Sequence, residues 1–490
     1  MPDNDGVSSS PRLMNSADSP AIPAPPPTRQ HRHRLLQSLA FSQKEAVASS
    51  AMTASCDNFM NAFALHLGAT SLQMGYLTAI PPLMGSLMQL VSVWIGNYLT
   101  RRRIVLFTAI LQTSVMFCFA FLATVRRPGL MEALIHLVIL YHGSSHMIQP
   151  QWRAWMGSMV PQSQRGKFFA ARSRLTMGAS LAVFLAGGLF MSFAARYDLA
   201  WAGFCFLFFI AAIGRALSCY FLWRMHDPDP QAPTSGASQF FNTLRVFPQA
   251  LGDRTFRNYT LYVAGMQGAV AVSAPFFAVY MLNELHWTYF QYTLNLIASI
   301  ATQFVTLRHW GTVSDRHGAR FVMLACSIAI PVVPLLWLFS ADFYYLLLVQ
   351  LVSGLAWSGF NLTIANYLYD IRPHQTNFAT YAAIQAICAA LLIFVGGVLG
   401  GYIASVSPAL NAWLPWPLPS ALFIVFIASG LLRALVLLWF IPRAEEPRLR
   451  TRPQVLQLVL RVARYNSVSG VVLDWLTVTS KNKQDEPPTQ

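Results

Sequence analysis

Asp57 lies in the middle of a long apolar run, and of the 19 acidic residues it is the one that the pattern of apolar blocks places near mid-span. A carboxylate in that setting costs about 3 kcal/mol to insert unless it faces a wet cavity or the interior of a bundle, which makes it the first candidate for chemistry. Asn58 and Asn61 stand beside it, Asn61 one helical turn on and on nearly the same face. A second polar set, His142, His146, Gln149 and Arg153, is spaced by 4, 3 and 4 residues and so occupies a narrow arc of one helix. Such groups support proton exchange: Asp57 takes up and releases a proton, His142 or His146 is its exchange partner, and Arg153 stabilises an anionic solute or the ionised carboxylate. The competing reading is a hydrogen-bonded helix-packing network without transport chemistry, and the residues alone leave both open.

Membrane helices must position these groups. The chain has 490 residues, 55% hydrophobic and only 11% charged, whereas a soluble domain carries roughly 25% charged residues. Its apolar blocks repeatedly reach the roughly 20 residues needed to cross a bilayer. The sequence predicts spans near 46–67, 74–98, 103–125, 131–156, 174–195 and 200–223, then 257–282, 287–309, 320–340, 343–370, 377–404 and 418–441. That is an all-α membrane protein of twelve transmembrane helices in two six-helix bundles, residues 45–224 and 256–442. A central cytoplasmic loop, 225–255, separates them, and a disordered N-terminal tail, 1–44, precedes them. The N-terminal segment lacks the basic-then-apolar pattern of a signal peptide, so the first span is expected to stay as an anchor.

The formal charge of +15 lies in short loops between spans, so topology explains it and no nucleic-acid partner is expected. With the N-terminus inside, Arg101, Arg102, Arg103, Arg165, Lys167, Arg224, Arg245, Arg254, Arg316, Arg320 and Arg372 are internal, against Arg126, Arg127 and Arg196 outside. This asymmetry predicts cytoplasmic termini in a cell membrane, of the bacterial inner-membrane type. Trp201, Trp287, Trp413 and Trp416 then mark the outer interface as anchors. The six cysteines lie inside apolar spans without CxxC spacing and read as small hydrophobes. In the cytoplasmic tail, 443–490, Gln454, Gln457, Arg461 and Arg464 share a helical face, which predicts a helix lying on the membrane surface.

Features of the first half recur in the second at an offset near 212–218: Gly96 with Gly311, Pro161 with Pro373, Gly187-Gly188 with Gly400-Gly401, and Arg215-Ala216-Leu217 with Arg433-Ala434-Leu435. Arg215 and Arg433, present in both halves near inner span ends, are expected to be structural and to snorkel to the interface. At the inner end of span eight, Gly311-Thr-Val-Ser-Asp315-Arg316-His-Gly318-Ala-Arg320 resembles the major facilitator superfamily signature G-x-x-x-D-R-x-G-x-R. The first-half copy, Gly96 to Arg103, has Thr100 where Asp is usual and lacks the second Gly.

The resemblance implies two pseudo-symmetric bundles, transport rather than enzymatic activity, and a central cavity lined by spans one, four, seven and ten. Gln267 on span seven and Asn361 on span ten then join Asp57, Asn58, Asn61, His142, His146, Gln149 and Arg153 as substrate or proton-coupling candidates. Gly311, Asp315, Arg316, Gly318 and Arg320 form a gating motif, with Asp315 as a latch for the inward-closed state. The expected partners are a small polar solute, protons and the lipid bilayer, with a functional monomer and no cofactor. Span five lacks the Gly-Pro pair of the proton antiporter signature, although an efflux antiporter or an uncoupled facilitator would share the rest of the pattern. From a different class, His142 and His146 raise a haem or metal membrane protein as the alternative, although i, i+4 spacing on one helix fits packing at least as well.

Overall fold

The computed structural model describes residues 29–96, 98–125, 129–161, 165–228, 247–371 and 375–444. The apolar blocks fold as helices because a lipid-embedded backbone has to satisfy its own hydrogen bonds. In chain order these are α1 (Arg29–Cys56), α2 (Met60–His66), α3 (Ser71–Ile95), α4 (Arg101–Thr124), α5 (Leu130–Met159), α6 (Arg165–Arg196) and α7 (Ala200–Arg224). The second set is α8 (Arg254–Val279), α9 (Tyr289–His317), α10 (Ala319–Leu336), α11 (Phe343–Ile371), α12 (Gln375–Trp413) and α13 (Leu422–Phe440). A π turn, Tyr280–Glu284, extends α8.

With α1 and α2 counted as one broken helix, the described residues hold twelve long helical elements, six in each half. Eight of the described helices are long and apolar enough to span a membrane by themselves. Among the others, the first crossing carries Glu45 and Asp57, α5 carries the His142–Arg153 arc, and α9 carries Asn295, Gln303 and Arg308. Polar load is therefore concentrated on particular helices, as expected if these line a cavity. Helix α1 starts at Arg29, so residues 29–44, expected as disordered tail, are helical. The predicted surface helix of the C-terminal tail, together with Arg372 and Pro373, lies outside the described residues.

Three hydrophobic clusters define the packing. The largest joins both halves, bringing Phe59, Phe63 and Phe204 together with Phe276, Phe423 and Phe426. It sits on the side away from the chain termini. The other two lie toward the termini and are confined to one half each: Val105, Trp155, Met156 and Leu222 in the first, and Tyr259, Tyr262, Phe360 and Phe440 in the second. The halves thus share a core at one end and keep separate cores at the other.

The seam between the halves obeys the internal repeat. Helix α3 packs on α12 and α6 packs on α9, and the repeat maps α3 onto α9 and α6 onto α12. Each glycine pair serves both its own half and the other. A Cβ on Gly187 would fall 3.0 Å from the Phe59 ring in the same half, while one on Gly188 would fall 2.6 Å from Thr293 Cβ in the other. In the second half, a Cβ on Gly400 would collide with the Val272 carbonyl of its own bundle, whereas one on Gly401 would fall 3.2 Å from Leu72 Cα across the seam. A further recurrence, not noticed in the sequence, is a capping box opening α3 (Thr70 with Gln73) and another opening α9 (Thr288 with Gln291).

Two expectations need correction. Arg215 and Arg433 are 4% and 3% exposed, so neither snorkels. Their helices face other helices at that level, and the guanidinium groups find partners inside the bundles. Trp413 and Trp416 are exposed as interfacial anchors would be, at 89% and 85%, but Trp287 is buried at 9%, edge-on to Phe343 at 5.2 Å, because it forms part of the closed end of the molecule.

Candidate functional site

The first crossing breaks at the predicted site. Residues Asp57 to Phe59 form turns between α1 and α2, where Asp57 N still donates to Thr53 O at 2.9 Å. Asn58 turns its side chain back, donating from Nδ2 to Ala54 O at 3.1 Å. Its own carbonyl accepts from Tyr292 Oη of the opposite half at 3.1 Å. Asp57 keeps an exposed surface although bundle atoms crowd around it. The α5 side chain that interacts with it is the Tyr141 hydroxyl, 1% exposed.

The α5 arc divides between two environments. His146 turns toward α3: Gln89 Nε2 bonds its Nδ1 at 3.1 Å, and a Cβ on Gly85 would collide with its ring. His142 is half-buried beside the Tyr141 ring, with centroids 4.9 Å apart. Gln149 and Arg153 are exposed, and Arg153 Nη2 donates to Gln149 Oε1 at 3.1 Å. Asn61 and Gln267 are half-buried and Asn361 is exposed. The structure therefore joins Asp57 to Tyr141, and it seats His146 in the α3–α5 interface.

The sequence reading missed a buried ionic network beside this site. Glu45, 4% exposed on α1, accepts from Arg172 Nη2 on α6 at 2.6 Å and from Ser218 Oγ on α7 at 3.1 Å. Arg215 Nη1 lies 4.0 Å from Glu45 and donates to Ser218 Oγ at 2.9 Å. In the second half, the equivalent Arg433 donates to Ile330 O at 3.1 Å and to Ser273 Oγ at 2.7 Å, both neutral partners.

Around the signature, Gly318 adopts φ 89°, ψ 152° between α9 and α10, a backbone conformation open to glycine and few other residues, which accounts for its place in the motif. Asp315 and Arg316 are exposed, Arg320 is half-buried, and a Cβ on Gly311 would meet nothing within 4 Å. The departing first-half copy has a different fixture. Arg101, buried at the start of α4, donates to Asp227 at 2.5 Å and to Ser158 Oγ at 2.9 Å, tying the residues after α7 to the end of α5. The Arg101 to Asp227 pair shows that the central loop, expected from 225, starts with residues bound into the bundle.

Two bundles in a pseudo-twofold arrangement, a broken first crossing and a shared core at one end form a specific architecture. Solved structures share it. A point mutant of the nucleoside transporter NupG superposes with a TM-score of 0.62 at 12% identity, covering 84% of this chain and 100% of that one. The D-xylose–proton symporter superposes with a TM-score of 0.62 at 15% identity, covering 85% and 99%. A bacterial homologue of the human lysosomal transporter Spinster, in an inward-facing and occupied conformation, gives 0.58 at 12%, covering 86% and 98%. At these identities the likeness establishes the fold. No curated protein sequence matches the chain. The sequence model of the Major Facilitator Superfamily matches residues 259–480. Over that stretch, which makes up most of its second half, the chain matches the major facilitator superfamily.

That match and the apolar helices indicate a multi-pass membrane transporter rather than an enzyme. The repeat becomes two bundles that meet along α3–α12 and α6–α9.

Proposed function

We propose that this major facilitator moves a small polar solute by alternating access, that its cavity faces the side of the termini in this structure, and that Asp57 is the proton-coupled group. The observation that carries the reading is the position of Asp57 in the break of the first crossing. It is accessible to water, Tyr141 interacts with it, and the neighbouring Asn58 carbonyl is held by Tyr292 from the opposite half. A change of charge at Asp57 acts one peptide away from a hydrogen bond that closes the seam. Gln149, Arg153 and Asn361 are exposed nearer the termini and give the cavity wall a polar character suited to a polar solute. His142 is the imidazole we assign to proton exchange, since the His146 ring is bonded to Gln89.

The basic loops support cytoplasmic termini and a cell-membrane location, which makes the described conformation inward-facing. Residues 45–224 and 256–442 are the two units that rock, and Asp315 latches the opposite, inward-closed state. The unit of function is a monomer.

A melting screen of metabolites and antibiotics on purified protein identifies a solute, which then enters proteoliposome assays. Asp57→Asn is expected to abolish accumulation driven by a pH gradient while sparing counterflow. Gradient-driven uptake retained in that variant refutes the proton role.

A further inference from the structure

At the end of the first bundle nearest the termini lies a cavity of about 260 Å³, walled by the start of α1, the start of α4 and the end of α7. Arg34, Arg102 and Arg224 line it together with Gln37, Ser38 and Trp223, and among the described residues no carboxylate does. The nearby Asp227 is engaged by Arg101 and does not enter the lining. Three guanidinium groups around so small a space repel one another unless an anion sits between them.

The lining is tied together by its backbone and by two of its arginines, while Arg34 and Arg224 are exposed. Ser38 Oγ donates to Arg34 O at 2.9 Å and accepts from His226 N at 2.9 Å, which ties α1 to the residues after α7. Arg102 Nη2 donates to Trp223 O at 2.6 Å, whereas its buried Nε has no partner in the protein. Arg224 lies over the Phe41 ring at 5.4 Å. Arg102 and Arg224 are thus held as charge-assisted donors of the kind that phosphate oxygens accept in pairs, with the exposed Arg34 guanidinium beside them.

The location selects the source of the anion. Phe206, Phe209, Ile213, Leu217, Tyr220 and Trp223 are exposed along one stripe of α7, and the stripe ends at the cavity mouth, where Trp223 forms part of the wall. An apolar stripe ending in Trp and Arg matches the passage from hydrocarbon to headgroup region. The volume lies below the roughly 300 Å³ at which sites for whole small-molecule ligands begin, and it suits one phosphate group. We propose that this cavity binds the phosphate headgroup of an anionic phospholipid in the leaflet facing the termini, with its acyl chains along the α7 stripe. The site is separate from the transport cavity and does not depend on the role assigned to Asp57.

The test uses full-length protein, delipidated in detergent and titrated with phosphatidylglycerol, phosphatidylcholine or inorganic phosphate, read by native mass spectrometry and melting temperature. Phosphatidylglycerol is expected to remain bound and raise the melting temperature, with phosphatidylcholine doing neither. Arg34→Gln and Arg224→Gln are each expected to weaken phosphatidylglycerol retention about five-fold, and the double variant to abolish the preference. Arg102→Gln removes a bond to the Trp223 carbonyl as well, so the two other variants carry the test if it fails to fold. Equal retention of the two lipids, or undiminished preference in the double variant, overturns the proposal. Inorganic phosphate reproducing the full effect of phosphatidylglycerol also overturns it, in favour of a soluble-anion site.

Discussion

Glu45 holds two arginines from two other helices, with Glu45 and Arg215 buried and Arg172 only 18% exposed. Removing one partner from such a network leaves charge without compensation, which costs about 3 kcal/mol or more. Glu45→Gln is therefore expected to lower the melting temperature of the purified protein substantially, and adding Arg215→Met to recover part of the loss, since the second change removes a stranded cation. A double variant no more stable than Glu45→Gln would contradict this account. Asp57 was legible in the sequence because it interrupts a long apolar run; Glu45 was not, because it lies at the start of the apolar block beside a polar tail and reads as a loop residue. Tyr141 was missed for a different reason. It stands one position before His142, about 100° around the helix, and a tyrosine in an apolar run carries no polar signal. The buried pair of Arg101 with Asp227 joins residues 126 positions apart, and nothing local in either segment announces the other.

At the scale of helices, the glycine pairs place the limits on motion. Gly188 meets the Thr293 side chain across the seam, and a branched side chain there cannot be accommodated without separating α6 from α9. Gly188→Val is expected to disfavour the closed end seen here and to make a cysteine at Ser192 more reactive toward a membrane-impermeant thiol reagent added from the side away from the termini. The matching change at Gly187 presses on Phe59 inside the same bundle and is expected to affect stability more than reactivity. The recurrence of these glycines was visible in the sequence, and so was the arrangement into halves. Their division of labour was not, because neighbouring positions on a helix face different partners only once those partners are known. Similarly, Arg215 and Arg433 read as snorkelling cations from their distance to span ends, while the surrounding helices leave them no path to the interface.

For the molecule as a whole, one shared hydrophobic cluster and two separate ones describe a pair of bodies joined at one end. Cysteines replacing Arg153 or Asn361 are expected to react with impermeant reagents from the side of the termini and to be protected from the opposite side. The reverse pattern would exclude this conformation as the resting state. The seam at the joined end includes backbone-to-backbone approaches at Gly75, Gly397 and Gly401, and hydrogen bonds from Tyr292 to Asn58 and from Phe290 N to Ser192. Glycine contacts bring little apolar side-chain surface to a seam, and hydrogen bonds lost there can be exchanged with water. At about 25 cal/mol per Å² of apolar surface, parting the glycine contacts exposes little that water disfavours, so the cost of opening this end rests on the shared hydrophobic cluster. A solute that binds one end state better than the other then has only the parting of that cluster to offset, and not a seam packed with side chains along its whole length.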